Sequence, residues 1–175
     1  MKKMLLGLVT CVTLLSIPAS NFAQAPTLGT AANFVLFTTT GAVGNTGISR
    51  LTGNVGSNTG SSTGFGNVNG TMHNNNGATD QARLDLTSAY NQIQATPNTL
   101  THAPLIGNGE TLFAGVYAMS GLSTLSGALT LDAQGNANAV FIFKIDAAFS
   151  TTAESKIMLI NGAQACNVFW KIEGV

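Results

Sequence analysis

The segment FIFKID (residues 141–146) returns as VFWKIE (168–173) at an offset of 27, with Phe143 over Trp170, Lys144 over Lys171, Ile145 over Ile172 and Asp146 over Glu173. At the same offset GLSTLSG (121–127) falls on AFSTTAE (148–154), pairing Leu122 with Phe149, Ser123 with Ser150 and Thr124 with Thr151. With a one-residue slip, LTLDAQGNANA (129–139) matches MLINGAQACN (158–167) in character. A repeat of this length is a supersecondary unit that buries its apolar side only by stacking on its neighbour. After residue 110 each unit holds short β-branched and aromatic runs (GVYAM, LSTLSG, ALTLD, then AVFIFKID, KIMLI, NVFWKIE) separated by turn clusters. Three such runs per unit suit one coil of a triangular β-solenoid. Coils stack roughly 4.7 to 4.9 Å apart, and alternate residues along a strand repeat at roughly 6.6 Å on one face. Inward positions then stack apolar on apolar, and outward ones stack Ser and Thr into a flat ladder of hydroxyls and methyls.

One segment reads differently. In DQARLDLTSAYNQIQA (80–95), Ala82, Leu86, Ala89, Tyr90 and Ile93 fall on one stripe, with Gln81, Asp85, Ser88 and Gln92 opposite. Thr79 is placed as N-cap, Asp80 sits in the first turn and Pro97 ends the helix. The stripe, Tyr90 included, is expected to pack on another surface. Residues 46–71, TGISRLTGNVGSNTGSSTGFGNVNGT, resemble a flexible linker in composition, yet Ile48, Leu51, Val55, Phe65 and Val68 recur too regularly for one. Short strands and turns are expected there instead.

The first residues form a basic start (Lys2, Lys3), an apolar run from Met4 to Ile17 and then small residues, the pattern of a secretory signal. The run falls short of the roughly 20 residues that span a bilayer. Residues 1–23 are read as a cleaved leader and 24–175 as one domain, secreted to an extracellular or periplasmic location and away from the membrane. Without Lys2 and Lys3, five basic side chains stand against seven acidic ones, near minus two. That lack of clustered positive charge excludes nucleic acid held through its phosphates. Cys11 leaves with the leader, so Cys166 has no internal disulfide partner. Charged residues make up 8% of the chain, against about 25% in ordinary domains. The surface must be covered by Thr, Ser, Asn, Gln and Gly.

Catalysis finds no constellation in this sequence. Asp80 and Asp85 belong to the helix and Glu110 follows a Gly-Asn-Gly turn. Asp146 and Glu173 recur at the repeat period, where solvated corners pairing with Lys144 and Lys171 are expected. His73 and His102 stand in loop-like contexts without a second ligand at metal spacing. No Ser sits in a nucleophile elbow and no glycine loop precedes a phosphate-binding Lys. Cys166, before a strand, is expected to be a buried small residue. No enzyme, metal or cofactor is expected.

LGTAANFVLFTTTG (28–41), LTGNVGSNTG (51–60), TDQARLDLTSAYNQ (79–92), LDAQGNANAVFIFKI (131–145) and LINGAQACNVFWKI (159–172) together resemble, in order, the ice-binding protein family of bacteria, fungi and polar algae. The resemblance implies a discontinuous right-handed β-solenoid with one helix alongside, and adsorption to an ice crystal surface from a flat Thr/Ser-rich β-face. Some family members carry a loose Thr-(Ala or Gly)-x-(Thr or Asn) pattern there; TAAN (30–33) fits it and TGIS (46–49) fits with Ser in the last place. Candidate ice-facing residues are Thr46, Ser49, Thr52, Ser123, Thr124, Ser150 and Thr151. The family pattern continues for several strands beyond the segment that matches NVFWKIEGV. The C-terminal coils are therefore expected to be missing, leaving an open sheet edge and a tendency to self-associate where the complete protein would be monomeric. The competing expectation is an extracellular or cell-surface solenoid module for adhesion without ice activity. A glycan-active solenoid enzyme would need a carboxylate cluster that the sequence lacks.

Overall fold

The computed structural model of the chain describes residues 23–174. The expected leader, apart from Ala23, lies outside them. A 3-10 turn, Gly29–Asn33, leads into β1 (Phe34–Thr38), β2 (Val43–Gly44), β3 (Arg50–Thr52), β4 (Asn54–Ser57), β5 (Ser62–Thr63), β6 (Asn67–Asn69) and β7 (Met72–Asn74). All pair in parallel as β1-β4-β7, β2-β5 and β3-β6, the wiring of stacked three-sided coils. The Gly/Ser-rich stretch is thus a set of ordered rungs, with Leu51 opposite Val68. Its glycines serve close stacking: Gly64 has φ +78°, and a Cβ there would strike the Asn45 carbonyl of the adjoining coil. The interior of these rungs is partly polar. Ser57 and Ser62 are buried beside Val43 and Val55. The Ser57 hydroxyl donates to Gly41 O at 2.5 Å and accepts from Gly60 N–H at 2.8 Å, while Ser62 donates to Asn74 Oδ1 at 2.8 Å.

Helix α1 (Gly77–Ala95) follows directly and starts three residues before the expected position. Its N-cap is Asn76, not Thr79. The Asn76 Oδ1 accepts from the Ala78 and Thr79 amides at 3.1 and 3.2 Å, and the Thr79 hydroxyl accepts from Asn76 N–H at 2.9 Å. A reciprocal capping box places Thr79 at its third position. Ala82, Ala89 and Ile93 are buried as expected. Tyr90 is not: it is 42% exposed, its hydroxyl donates to Glu173 Oε1 at 2.6 Å, and Lys171 Nζ lies 4.5 Å from its ring centroid. A phenol gains a polar partner and a cation at the helix margin, which burial would deny it.

The remaining chain forms β8 (Leu100–Thr101), β9 (Leu105–Gly107), β10 (Glu110–Phe113), β11 (Gly115–Met119), β12 (Ser123–Ser126), β13 (Ala128–Asp132), β14 (Phe141–Ile145), β15 (Phe149–Thr151), β16 (Lys156–Ile160) and β17 (Val168–Ile172). Three parallel sheets result: a helix-side sheet β17-β14-β11-β8, a second sheet β15-β12-β9 and a third β16-β13-β10. On the helix-side sheet, Val116, Ile142 and Phe169 form one outward column, packed under Ile93 with Ala23 and Ala25. Its inward column stacks Tyr117 on Phe143 (5.4 Å, 17°) and Phe143 on Trp170 (4.1 Å, 15°). Leu125, Leu129, Leu131 and Ile145 complete the core around them. Lys144 extends outward and donates to Gln94 O and Thr96 O, at 3.2 and 2.8 Å, satisfying carbonyls at the C-terminal end of α1. Burial lowers its pKa; that of Lys171 is lowered by burial and by the neighbouring Lys144 charge. On β16, Ile157, Met158, Leu159 and Ile160 are all more than a third exposed.

The repeat is not uniform. Phe141 pairs with Val168, an offset of 27, but Thr124 pairs with Ser150, an offset of 26, and Leu129 with Ile157, an offset of 28. The corner between β15 and β16 spans four residues, 152–155, where Gly127 alone joins β12 to β13. The next corner recovers one residue. Gln134-Gly135 and Asn161-Gly162 turn there with paired positive φ (52° and 83°; 51° and 89°), and Asn161 Nδ2 donates to Asp132 Oδ1 at 2.9 Å.

Candidate functional site

A surface that meets a solid lattice cannot hold strongly hydrated charges in its middle, so the sides of the C-terminal stack can be sorted by charge. The helix-side sheet carries Lys144 and Lys171 in its strands, and the third sheet carries Glu110, Asp132 and Lys156. The strands of the second sheet, LIG, STLS and FST, carry none. In the N-terminal rungs β2-β5 is likewise uncharged, with Thr63 exposed, whereas β3 contains Arg50.

Alternation along β12 fixes which hydroxyls of the second sheet point outward. Ser123 and Leu125 are buried, at 1% and 5% exposure, so Thr124 and Ser126 face out. Thr124 stands opposite Ser150 on β15 and opposite Leu105 on β9. The Thr124 and Ser150 hydroxyls bond each other at 3.0 Å. Two residues on, Thr152 donates to Ser126 at 3.4 Å, and also shares a 3.0 Å bond with Ser155. The side therefore presents Thr124 and Ser150 as a strand pair, at a parallel-sheet spacing of roughly 4.8 Å, and beside it the Ser126–Thr152 contact, with Thr152 at the start of the corner that follows β15.

The structure brings together only two of the seven candidate residues, Thr124 and Ser150. Ser123 is turned into the core, where it donates to Gly121 O at 3.1 Å. Thr151 lies opposite Leu125, in the inward column, and is exposed. The candidates include adjacent residues on each strand, and because side chains alternate in direction one of each pair has to turn inward. Thr46 is exposed in the turn after β2, and Ser49 spends its hydroxyl on Asn45 Oδ1 at 2.7 Å. Thr52 is exposed on β3, opposite Asn69 and beside Arg50's strand position. Thr30 of TAAN is drawn to α1, its amide and hydroxyl both donating to Asp85 Oδ2 at 2.7 Å. Ser126 and Thr152, on the same side, are not among the sequence candidates, although two-residue alternation from Thr124 and Ser150 points to them.

Other reactive groups have structural partners. Glu173 pairs with Lys171, but Asp146 accepts from Gly121 N–H at 2.6 Å rather than from Lys144, whose ammonium is committed to α1. His102 Nε2 lies 3.0 Å from Glu110 Oε2. His73 is in β7, not a loop, against the Phe34 ring at 5.6 Å. Cys166 is exposed rather than buried, because it falls in a 3-10 turn (Ala165–Asn167) ahead of β17. Among the described residues no group of three or more His, Cys, Asp or Glu comes together to hold a metal, and no helix is long and apolar enough to cross a membrane.

Comparison with known proteins gives concordant matches. The family described as Ice-binding-like matches residues 37–175. An ice-binding protein of Nostoc sp. (strain HG1) is 44% identical over 156 residues, covering 86% of this chain and 56% of that protein. One from Flavobacterium frigoris (strain PS1) is 30% identical over 164 residues, 84% of this chain and 58% of that protein. The chain thus spans a little over half the length of these two relatives. Among solved structures, an ice-binding protein from an Antarctic Flavobacteriaceae bacterium superposes with a TM-score of 0.84 at 59% identity, covering 85% of this chain and 35% of that one. One from the Antarctic ascomycete Antarctomyces psychrotrophicus gives 0.81 at 35% identity, covering 86% and 75%.

Proposed function

The chain belongs to the ice-binding-like family, and from that premise we propose that it adsorbs to ice crystals through the uncharged β9-β12-β15 side. The observation that carries this reading is the in-register, mutually bonded hydroxyl pair Thr124–Ser150, with Ser126 and Thr152 in contact beside it, on a side without a charged strand residue. Hydroxyls bonded along the stack are held in fixed positions, and each keeps acceptor capacity for water. The Thr methyls between them exclude disordered solvent. A carboxylate or ammonium in the same place would bind its own hydration shell and oppose a lattice. Adsorbed molecules force ice to grow as curved fronts between them, which lowers the local freezing point and slows recrystallisation. No covalent chemistry is involved.

Export is part of the proposal. Ice forms outside the cell first, and residues 1–23 read as a secretory leader. Freezing a dilute solution slowly from a cold surface tests the activity: the protein should enter the ice fraction while an inert protein of similar size stays in the liquid. Exclusion from ice, with the fold intact by circular dichroism, would favour an adhesion or structural role instead.

A further inference from the structure

We infer that Leu105 is the boundary of the ice-contacting surface: it ends the outer hydroxyl column, and a hydroxyl in its place would lengthen that surface by one rung. The inference rests on the function proposed above and concerns the extent of the same site. Leu105 lies on β9 directly opposite Thr124, which in turn lies opposite Ser150, so the three side chains form one outward column. It is 53% exposed and belongs to neither core cluster. Two of the three positions carry hydroxyls bonded to each other at 3.0 Å; the third carries an isobutyl group.

Chemistry and shape both make Leu105 a terminus. A hydroxyl has one donor and two acceptor sites, so Thr124 can bond a second neighbour as well as Ser150. Leu offers none. Its terminal methyls also reach about one C–C bond, roughly 1.5 Å, beyond the level of a Thr methyl or hydroxyl. A flat surface is thereby stepped at this rung. The parallel column cannot make up the loss on β9. Its next position is Gly107, opposite Ser126, with φ +101°, and a Cβ there would collide with the Ser126 carbonyl. Leu105 is therefore the position on β9 where the ladder can be extended without moving the backbone, and Thr, being β-branched, suits a strand.

The test compares Leu105→Thr, Leu105→Val and Ser150→Lys with the parent chain, by thermal hysteresis at equal concentration, after circular dichroism and melting confirm folding. Leu105→Val removes the overhang without adding a hydroxyl, and keeps the test decisive should the threonine variant fold poorly. The expected result is increased hysteresis for Leu105→Thr, a smaller increase for Leu105→Val and loss for Ser150→Lys. Loss in Ser150→Lys without any gain in folded Leu105→Val or Leu105→Thr would overturn the boundary role and leave the proposed face standing. Unchanged hysteresis in Ser150→Lys would overturn both.

Discussion

Asp85 is the carboxylate on which the N-terminal segment hangs. It accepts from the Thr30 amide and hydroxyl, each at 2.7 Å, and from Gln81 Nε2 at 2.8 Å. Those bonds, the Thr30 hydroxyl foremost, hold its pKa below the ordinary 3.8. A carboxylate with a depressed folded pKa contributes stability above its unfolded value and loses it as pH falls through the folded one. Acidification from pH 5 to below about 3.8 should therefore loosen Thr30 from the helix. Faster amide exchange at Thr30 than at core amides such as Phe143 would register this; Asp85→Asn should show the looser state already at neutral pH. The residue scale also holds the sharpest contrast on the second sheet. Ser123 and Thr124 are neighbours, yet one is in the core and the other faces solvent. Lysine at 123 should unfold the coil, whereas lysine at 124 should leave the melting curve nearly unchanged. A thermal melt separates the two.

At the scale of elements, the aromatic column and the capped helix carry the fold. Phe143 is fully buried between Tyr117 and Trp170, so Phe143→Ala removes two ring contacts and leaves a void. The expected cost is about 3 to 5 kcal/mol, measured by denaturant unfolding. Asn76→Ala removes the side-chain half of the capping box, at about 1 kcal/mol. Both elements were legible in the sequence: Phe143 over Trp170 and Lys144 over Lys171 are paired as the repeat indicates, and the helix ends before Pro97. What escaped was local. A single offset averages over corners of unequal length, and the longer turn at 152–155 compensates for the shorter offset of the hydroxyl strands. That one-residue error paired Ser123 with Ser150 and Thr124 with Thr151, where the strands set Thr124 opposite Ser150 and Leu125 opposite Thr151. Tyr90 escaped for a different reason. Helical periodicity places a residue on a stripe but cannot tell that the stripe's margin meets Lys171 and Glu173 rather than core.

The molecule as a whole separates its tasks by side. One side of the C-terminal stack takes α1 and uses Lys144 and Lys171 to join helix to sheet. The third side carries Asp132 and Lys156 among its outer positions, while the strands of the second are uncharged, with Thr124 and Ser150 in register. The low charge of the sequence, 8%, acquires a position in this arrangement. Equal charges placed on two sides should consequently have unequal effects. Ser150→Lys puts an ammonium in the proposed ice-contacting columns, and Thr111→Lys puts the same group on an exposed position of β10 in the third sheet. Thermal hysteresis of the two variants, at matched concentration and with matched melting curves, measures the difference directly. Loss of activity in Ser150→Lys with activity retained in Thr111→Lys is the predicted result; retention in Ser150→Lys and loss in Thr111→Lys would contradict it.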